Sequence, residues 1–152
     1  KLLDNLLKIL GLWKIDIWIK IFKNPDSLFN PTPYGFSHAS SVKTSGELVY
    51  ISGQSGGLGK DHILSTSFRE QVQVALKNLT TILNSYQLKP ENVMKITILI
   101  VDHSSEKLKI WEEEISKTWK NKPFPASTLI PVPRLALDNM QIEVDAVAFK
   151  AN

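Results

Sequence analysis

Residues 141–149 constrain this chain more than any other stretch. Ile142, Val144, Ala146 and Ala148 alternate with Gln141, Glu143 and Asp145. Side chains point to opposite faces of a strand with a period of two, so the stretch reads as a strand with one apolar face and one face carrying two carboxylates. The apolar face must lie on a core, and the acidic face is either wet or lines a cleft. Upstream, residues 128–132 read as another strand, with Leu137, Asp138, Asn139 and Met140 as the turn between the two.

Two segments follow the helical period instead. Across residues 65–86, Phe68, Val72, Ala75, Leu76, Leu79, Ile82, Leu83 and Tyr86 mark one face, and serines from Ser65 to Ser67 can cap the start. A second helix, capped by Ser104 or Ser105, turns Leu108, Trp111, Ile115 and Trp119 inward. Between the two helices, residues 93–101 form a nearly unbroken β-rich run, which predicts a strand covered along most of its length. Residues 37–43 and 48–53 read as strands joined by a hairpin turn at 44–47, after an extended connection over 24–36 held by Pro25, Pro31 and Pro33.

Residues 1–23 differ from the rest. Leu3, Leu6, Leu7, Leu10 and Trp13 recur at helical spacing up to Lys14, and Ile15, Ile17, Ile19 and Ile21 then alternate as in a strand. Charges at Asp4, Lys8, Lys14, Asp16 and Lys20 interrupt the stretch too often for a bilayer span, and it lacks the clean apolar core of a signal peptide. Three readings stay open for it: packing on the domain or a partner subunit, an extension foreign to the domain, or an amphipathic helix lying flat on a membrane, the least favoured. The chain therefore divides into an N-terminal amphipathic extension (1–23) running into the first strand, and one domain (24–152).

The order strand, strand, strand, helix, strand, helix, strand, strand predicts an α+β fold, a mixed sheet with two helices on one face. At 152 residues one core is expected. No element remains to cover the second sheet face, so self-association is the economical solution. Hydrophobic content of 43% with 22% charged residues excludes a disordered chain. Cysteine is absent, which removes disulfides, thiolate nucleophiles and Cys-ligated zinc and is compatible with a reducing, cytoplasmic setting. The net charge of +3 comes almost wholly from lysine, since Arg69 and Arg134 are the only arginines. Such a balance is a poor nucleic-acid footprint, and Trp111 to Glu114 is locally acidic. No nucleic-acid partner is expected.

Several separated motifs resemble the RidA (YjgF-like) family of reactive intermediate deaminases. They are ProTyrGlyPheSerHisAla at 33–39, TyrIleSerGlyGlnSerGly at 50–56, Gln71 with AsnLeu at 78–79, LysIleThrIleLeuIleValAsp at 95–102, ProAlaSerThrLeuIleProValProArgLeuAla at 125–136 and IleGluValAspAla at 142–146. The resemblance spans about residues 19–150 in unbroken order. It implies a chorismate-mutase-like fold assembled as a homotrimer, with helices outside and a small-molecule ligand held in clefts between subunits. It also implies an activity: water hydrolyses an imine or enamine to a carbonyl compound and ammonia.

In deaminating members an arginine directly after ProAla clamps the substrate carboxylate, and here that position is Ser127. A guanidinium supplies two charge-assisted hydrogen bonds in a fixed fork, whereas serine offers one neutral hydroxyl. At roughly 1.5 to 3 kcal/mol per charged hydrogen bond, the loss weakens an α-carboxylate ligand about tenfold to several hundredfold. Arg134, seven residues on, matches another arginine-bearing position of the family.

The resemblance carries further roles over. Glu143 matches the acidic residue that polarises the attacking water, a role suited to a cleft carboxylate. Tyr34 matches the tyrosine at the cleft edge, with Phe36 beside it. Ser52, Gly53 and Gln54 match the strand end that approaches the ligand, where glycine permits close approach. Thr128 and Leu129 offer backbone amides next to Ser127. Read without the resemblance, Glu143 is an ordinary strand carboxylate, Tyr34 a packing residue and residues 52–54 a strand running into a loop.

Other patterns carry less. Ser55-Gly56-Gly57-Leu58-Gly59-Lys60 fails as a phosphate loop, because Gln54 stands where the first glycine belongs and Asp61 replaces the Ser or Thr; a mobile loop is expected. His38, His62 and His103 show no paired ligand spacing, so no metal is expected, and no cofactor motif is present. Three functions compete: a deaminase with shifted substrate, a non-catalytic trimer that binds a small metabolite, and, least favoured, an endoribonuclease.

Overall fold

The computed structural model describes residues 19–43, 45–120 and 123–152. In chain order, β1 (Ile19–Lys23) and β2 (Ala39–Lys43) form an antiparallel ribbon, β3 (Gly46–Ser55) is a long strand, and β4 (Gly57–Leu58) with β5 (Ile63–Leu64) makes a small hairpin. Helix α1 (Phe68–Ser85), β6 (Val93–Val101), helix α2 (Ser105–Thr118), β7 (Ala126–Val132) and β8 (Ile142–Ala151) complete the fold. The central sheet has the order β3-β8-β6-β7. β8 lies antiparallel to both neighbours, while β6 and β7 are parallel, so the sheet is mixed. Parallel strands need a crossover, and α2 supplies it between β6 and β7.

The alternation in β8 holds. Ile142, Val144, Ala146 and Ala148 are buried with Ile96, Ile98 and Ile100 of β6 and Val49 and Ile51 of β3, under Val72, Ala75, Leu76, Leu79 and Leu83 of α1 and Trp111 and Ile115 of α2. Both helices begin at serine caps, Ser67 accepting from the Glu70 N–H at 3.4 Å and Ser104 from the Lys107 N–H at 3.2 Å. The α+β architecture with two helices on one sheet face is thus as expected. The opposite face carries Leu48, Tyr50, Lys95, Thr97, Leu99, Glu143 and Asp145, and Tyr50 is 76% and Leu48 52% exposed. Among the described residues nothing covers that end of the sheet.

Four local expectations need correction. β2 and β3 are not paired as the expected hairpin at 44–47 requires: β2 pairs with β1 and β3 with β8, among the described residues no ladder joins β2 to β3, and Thr44 of that turn lies outside the described residues. The segment from 137 to 140 does not connect adjacent strands either, because β6 inserts between β7 and β8 and takes a ladder from each. Residues 55–60 run into the β4–β5 hairpin, pinned by the Asn78 side-chain amide to the carbonyls of Ser55 and Gly57 at 3.1 and 3.0 Å. α1 starts at Phe68 rather than Ser65, since Ser67 is the cap and the Ser65 hydroxyl accepts from the Ser67 N–H in the turn before it. The helical pattern over residues 3–14 and the first half of the Ile15–Phe22 alternation lie outside the described residues.

β7 is an edge strand with one unusual residue. Pro131 stays in register with Ile100 although it has no N–H. Its nitrogen must face away from β6, and because backbone polar groups alternate sides along a strand, Leu129 directs its N–H to the same outer edge. Ser37 pairs with the start of that edge at Ala126, its N–H donating to the Pro125 carbonyl at 3.0 Å.

Candidate functional site

The ladder between β3 and β8 breaks once, between Ile51 and Gln54. Ser52 and Gly53 occupy the irregularity, and the Gln54 side-chain amide folds back to donate to the Ser52 carbonyl at 3.0 Å. The kink brings Gly53 under Glu143. A Cβ on Gly53 would fall 2.0 Å from Glu143 Oε1, so the carboxylate sits directly on the glycine backbone and any side chain there would displace it. Two grooves meet at Gly53. One, of about 420 Å³, runs over Tyr50, Ile51, Ser52 and Asp145; the other, of about 540 Å³, runs over Gln54, Ser55, His62 and Asn78.

The remaining expected site residues gather elsewhere. Tyr34 ends a single 3-10 turn (Thr32–Tyr34), is 46% exposed, and meets Phe29 edge to face at 6.0 Å. Phe36, His38 and Phe29 meet one another edge to face, and His38 Nε2 bonds the Phe29 carbonyl at 2.9 Å. Ser37 ties this aromatic group to Ala126 at the start of β7. Register then measures the gap. Glu143 stands opposite Leu99, and Leu99 opposite Ile130, four residues beyond Ala126. At roughly 3.3 Å per residue and 4.8 Å per strand, Tyr34 and Phe36 lie on the order of 20 Å from Glu143 within one chain.

Between the two groups lie the residues after ProAla. Ser127 pairs with Ile96 and Leu129 with Ile98, which puts both side chains on the helix-covered face, and Leu129 packs on the core. Thr128 pairs with Thr97 and faces the open side, where the Lys95 ammonium donates to its hydroxyl. Burial holds the Lys95 pKa below the usual lysine range, partly offset by Asp145. The structure therefore joins Ser52, Gly53, Gln54 and Glu143 in one cluster, joins Tyr34 and Phe36 in a second, and leaves Ser127, Thr128 and Leu129 along β7 between them. Among the described residues, no three His, Asp or Glu side chains converge as metal ligands would.

A family model described as Endoribonuclease L-PSP matches residues 31–150. The chain belongs to the RidA (YjgF-like) family. A RutC family protein of Aquifex aeolicus is 36% identical over 121 residues, covering 79% of this chain and 93% of its own, and one of Buchnera aphidicola subsp. Baizongia pistaciae is 31% identical over 124 residues, covering 80% and 91%. The crystal structure of a Rid-family protein of unknown function from Yersinia pestis superposes with a TM-score of 0.79 at 26% identity, covering 86% of this chain and 98% of that one. RidA from an Antarctic Psychrobacter, at 21% identity and a TM-score of 0.63 over 76% and 88% of the two chains, shares the fold.

Two features of this Rid chain escaped sequence reading. Gln71, matched only as part of a motif, is fully buried and makes three bonds: its amide donates to the carbonyls of Ser65 and Asn139 at 2.7 and 2.8 Å, and its carbonyl accepts from the Gln141 N–H at 2.9 Å. It thereby ties α1 to Gln141, the residue before β8. The second feature is a contact of Ser55 with His62, weighed in the sequence only as a metal ligand; a Gly-rich turn flanked by two polar side chains is its one sequence signal. Among the described residues no helix is long and apolar enough to cross a membrane.

Proposed function

We infer that this chain is a Rid-type imine or enamine hydrolase whose substrate lacks the α-carboxylate that an arginine at position 127 would clamp. The Glu143 carboxylate, held against Gly53 at the junction of two grooves, carries this reading. A carboxylate in that place can take a proton from water as the water oxygen adds to the imine carbon, and the tetrahedral adduct then expels ammonia. The separation of Tyr34 and Phe36 from Glu143 supports a site completed between subunits, with the aromatic group of one copy closing over the carboxylate of the next. A homotrimer of the family type, with ligand clefts at its interfaces, meets that requirement and covers the open sheet face.

A non-catalytic metabolite-binding trimer is the second reading. It is favoured by one observation, the neutral Ser127 side chain turned to the helix-covered face. The ribonuclease reading draws on the description of the family model, and Arg69, one of the two arginines, is engaged by Glu113 and Glu114. The test is ammonia release from 2-aminoacrylate and from a carboxylate-free ketimine, each generated enzymatically. Turnover of the ketimine by the native chain, lost in Glu143→Gln, is expected. Silence from the native chain on both, with 2-aminoacrylate activity appearing in Ser127→Arg, would move the function to binding.

A further inference from the structure

Ser55 and His62 form a second polar pair beside Glu143. Ser55 Oγ and His62 Nε2 lie 2.5 Å apart, and the Gly57 N–H donates to the same hydroxyl at 3.3 Å. The ring lies flat on the hairpin backbone: a Cβ on Gly57 would fall 2.1 Å from His62 Cδ2, so glycine alone leaves it room. His62 itself holds φ at 51°, a left-handed conformation uncommon outside glycine, of the kind that persists where surrounding contacts fix it. The hairpin is thus built around this imidazole. Ser55 is also the register partner of Glu143 across the β3–β8 ladder, and directly opposed residues hold their Cβ atoms roughly 4.5 to 5.5 Å apart on one face. Hydroxyl and imidazole therefore line one groove with Gly53, and the Glu143 carboxylate sits on that glycine, opposite Ser55 in register.

We propose that Ser55 and His62 are the proton-delivering arm of the Glu143 site, with Ser55 Oγ facing the imine nitrogen and His62 acting through it. The proposal rests on the hydrolase reading and extends it. In the addition step the water oxygen bonds to the imine carbon, the C=N π pair moves to nitrogen, Glu143 takes one water proton, and nitrogen takes the Ser55 hydroxyl proton, which protonated His62 replaces. In the collapse step the C–N pair leaves with nitrogen as ammonia, nitrogen collecting the proton from Glu143, while the adduct's O–H pair forms the carbonyl and its proton returns through Ser55 to His62. Water and imine give carbonyl and ammonia, and all three side chains end as they began. Around the imidazole, α1 presents the neutral Asn78 and Thr81, the hairpin contributes Lys60 and Asp61, and β8 contributes Glu143 opposite Ser55.

The experiment is the pH profile of kcat for ammonia release from the imine that the native chain hydrolyses. His62→Gln, which keeps a hydrogen-bonding partner for Ser55, and Ser55→Ala are expected to lower kcat roughly a hundredfold with little change in KM, in the range of a lost general acid. Ser55→Thr, which retains the hydroxyl, restores most of the rate, and His62→Gln removes the alkaline limb of the profile. Thermal melts of the same variants separate chemistry from folding. Native kcat and pH profile in both His62→Gln and Ser55→Ala, with turnover still abolished in Glu143→Gln, would reduce the pair to a hairpin fastening and overturn the proposal alone. No ammonia release above the buffer rate from any imine by the native chain would remove the hydrolase reading and the relay together.

Discussion

The proposed chemistry depends on one missing side chain at Gly53. A methyl group there would meet the Glu143 carboxylate at less than contact distance, so Gly53→Ala is expected to push Glu143 off its seat and lower kcat for ammonia release toward the level of Glu143→Gln. The thermal midpoint should fall only a few degrees, because Gly53 is exposed and touches none of the core. Kinetics and a melt on the same preparation check it, and native activity in Gly53→Ala would show that the carboxylate is not held by this approach. The acidic residue and the glycine beneath it were both legible in the sequence, one from strand alternation and the other from a motif. Ser55 with His62 was not, because a contact across seven residues exists only after the intervening hairpin has closed.

Elements are held to one another by a small number of polar ties. Glu114 of α2 is 4% exposed and accepts from Arg69 and Gln73 of α1 and from Lys117 at 2.6, 3.2 and 2.7 Å. Burial alone would raise its pKa, but the bonds from Lys117, Arg69 and Gln73 together outweigh it and hold the carboxyl below the usual glutamate range. A depressed folded pKa means that its stabilisation is complete above the unfolded value of about 4.3 and drains away as pH falls through the folded one. Glu114→Ala should therefore cost about 2 kcal/mol at neutral pH, and the difference between mutant and native thermal midpoints should shrink below about pH 4. At the start of α1, Ser67→Ala should cost about 1 kcal/mol in denaturant unfolding for loss of the cap. Both helices and all the long strands could be read from periodicity, yet the pairing of strands could not. Alternation tells which face of a strand is apolar and says nothing of its neighbour. Hence β3 and β7 were assigned to the wrong partners, β2 and β8, although their residues were correctly placed in strands.

At the scale of the molecule, the helices cover one face of the sheet, and among the described residues none covers the Leu48–Tyr50 end of the other. Leu48 and Tyr50 stand exposed beside Lys95 and Asp145 on the side away from the helices. If that face closes against copies of the chain, light scattering after gel filtration should give a trimer for the native protein. Tyr50→Lys should shift it toward monomer, with loss of ammonia release, since Tyr34 and Glu143 would no longer meet. A monomeric native protein would sink the shared-site reading. The fold's overall class was visible because each amphipathic element advertises its buried side; the distance between the Tyr34 group and Glu143 was not, because it follows from strand order, which alternation does not encode.

The outer edge of β7 adds a limit of another kind. An exposed strand edge is a template on which further chains can zip indefinitely, and sheets that grow this way end as fibrils. Pro131 removes the hydrogen-bond donor that such growth would need next beyond Leu129, and Pro133 follows just past the strand's end. Association by that route stalls after a residue or two, which favours assemblies that close on themselves over those that lengthen.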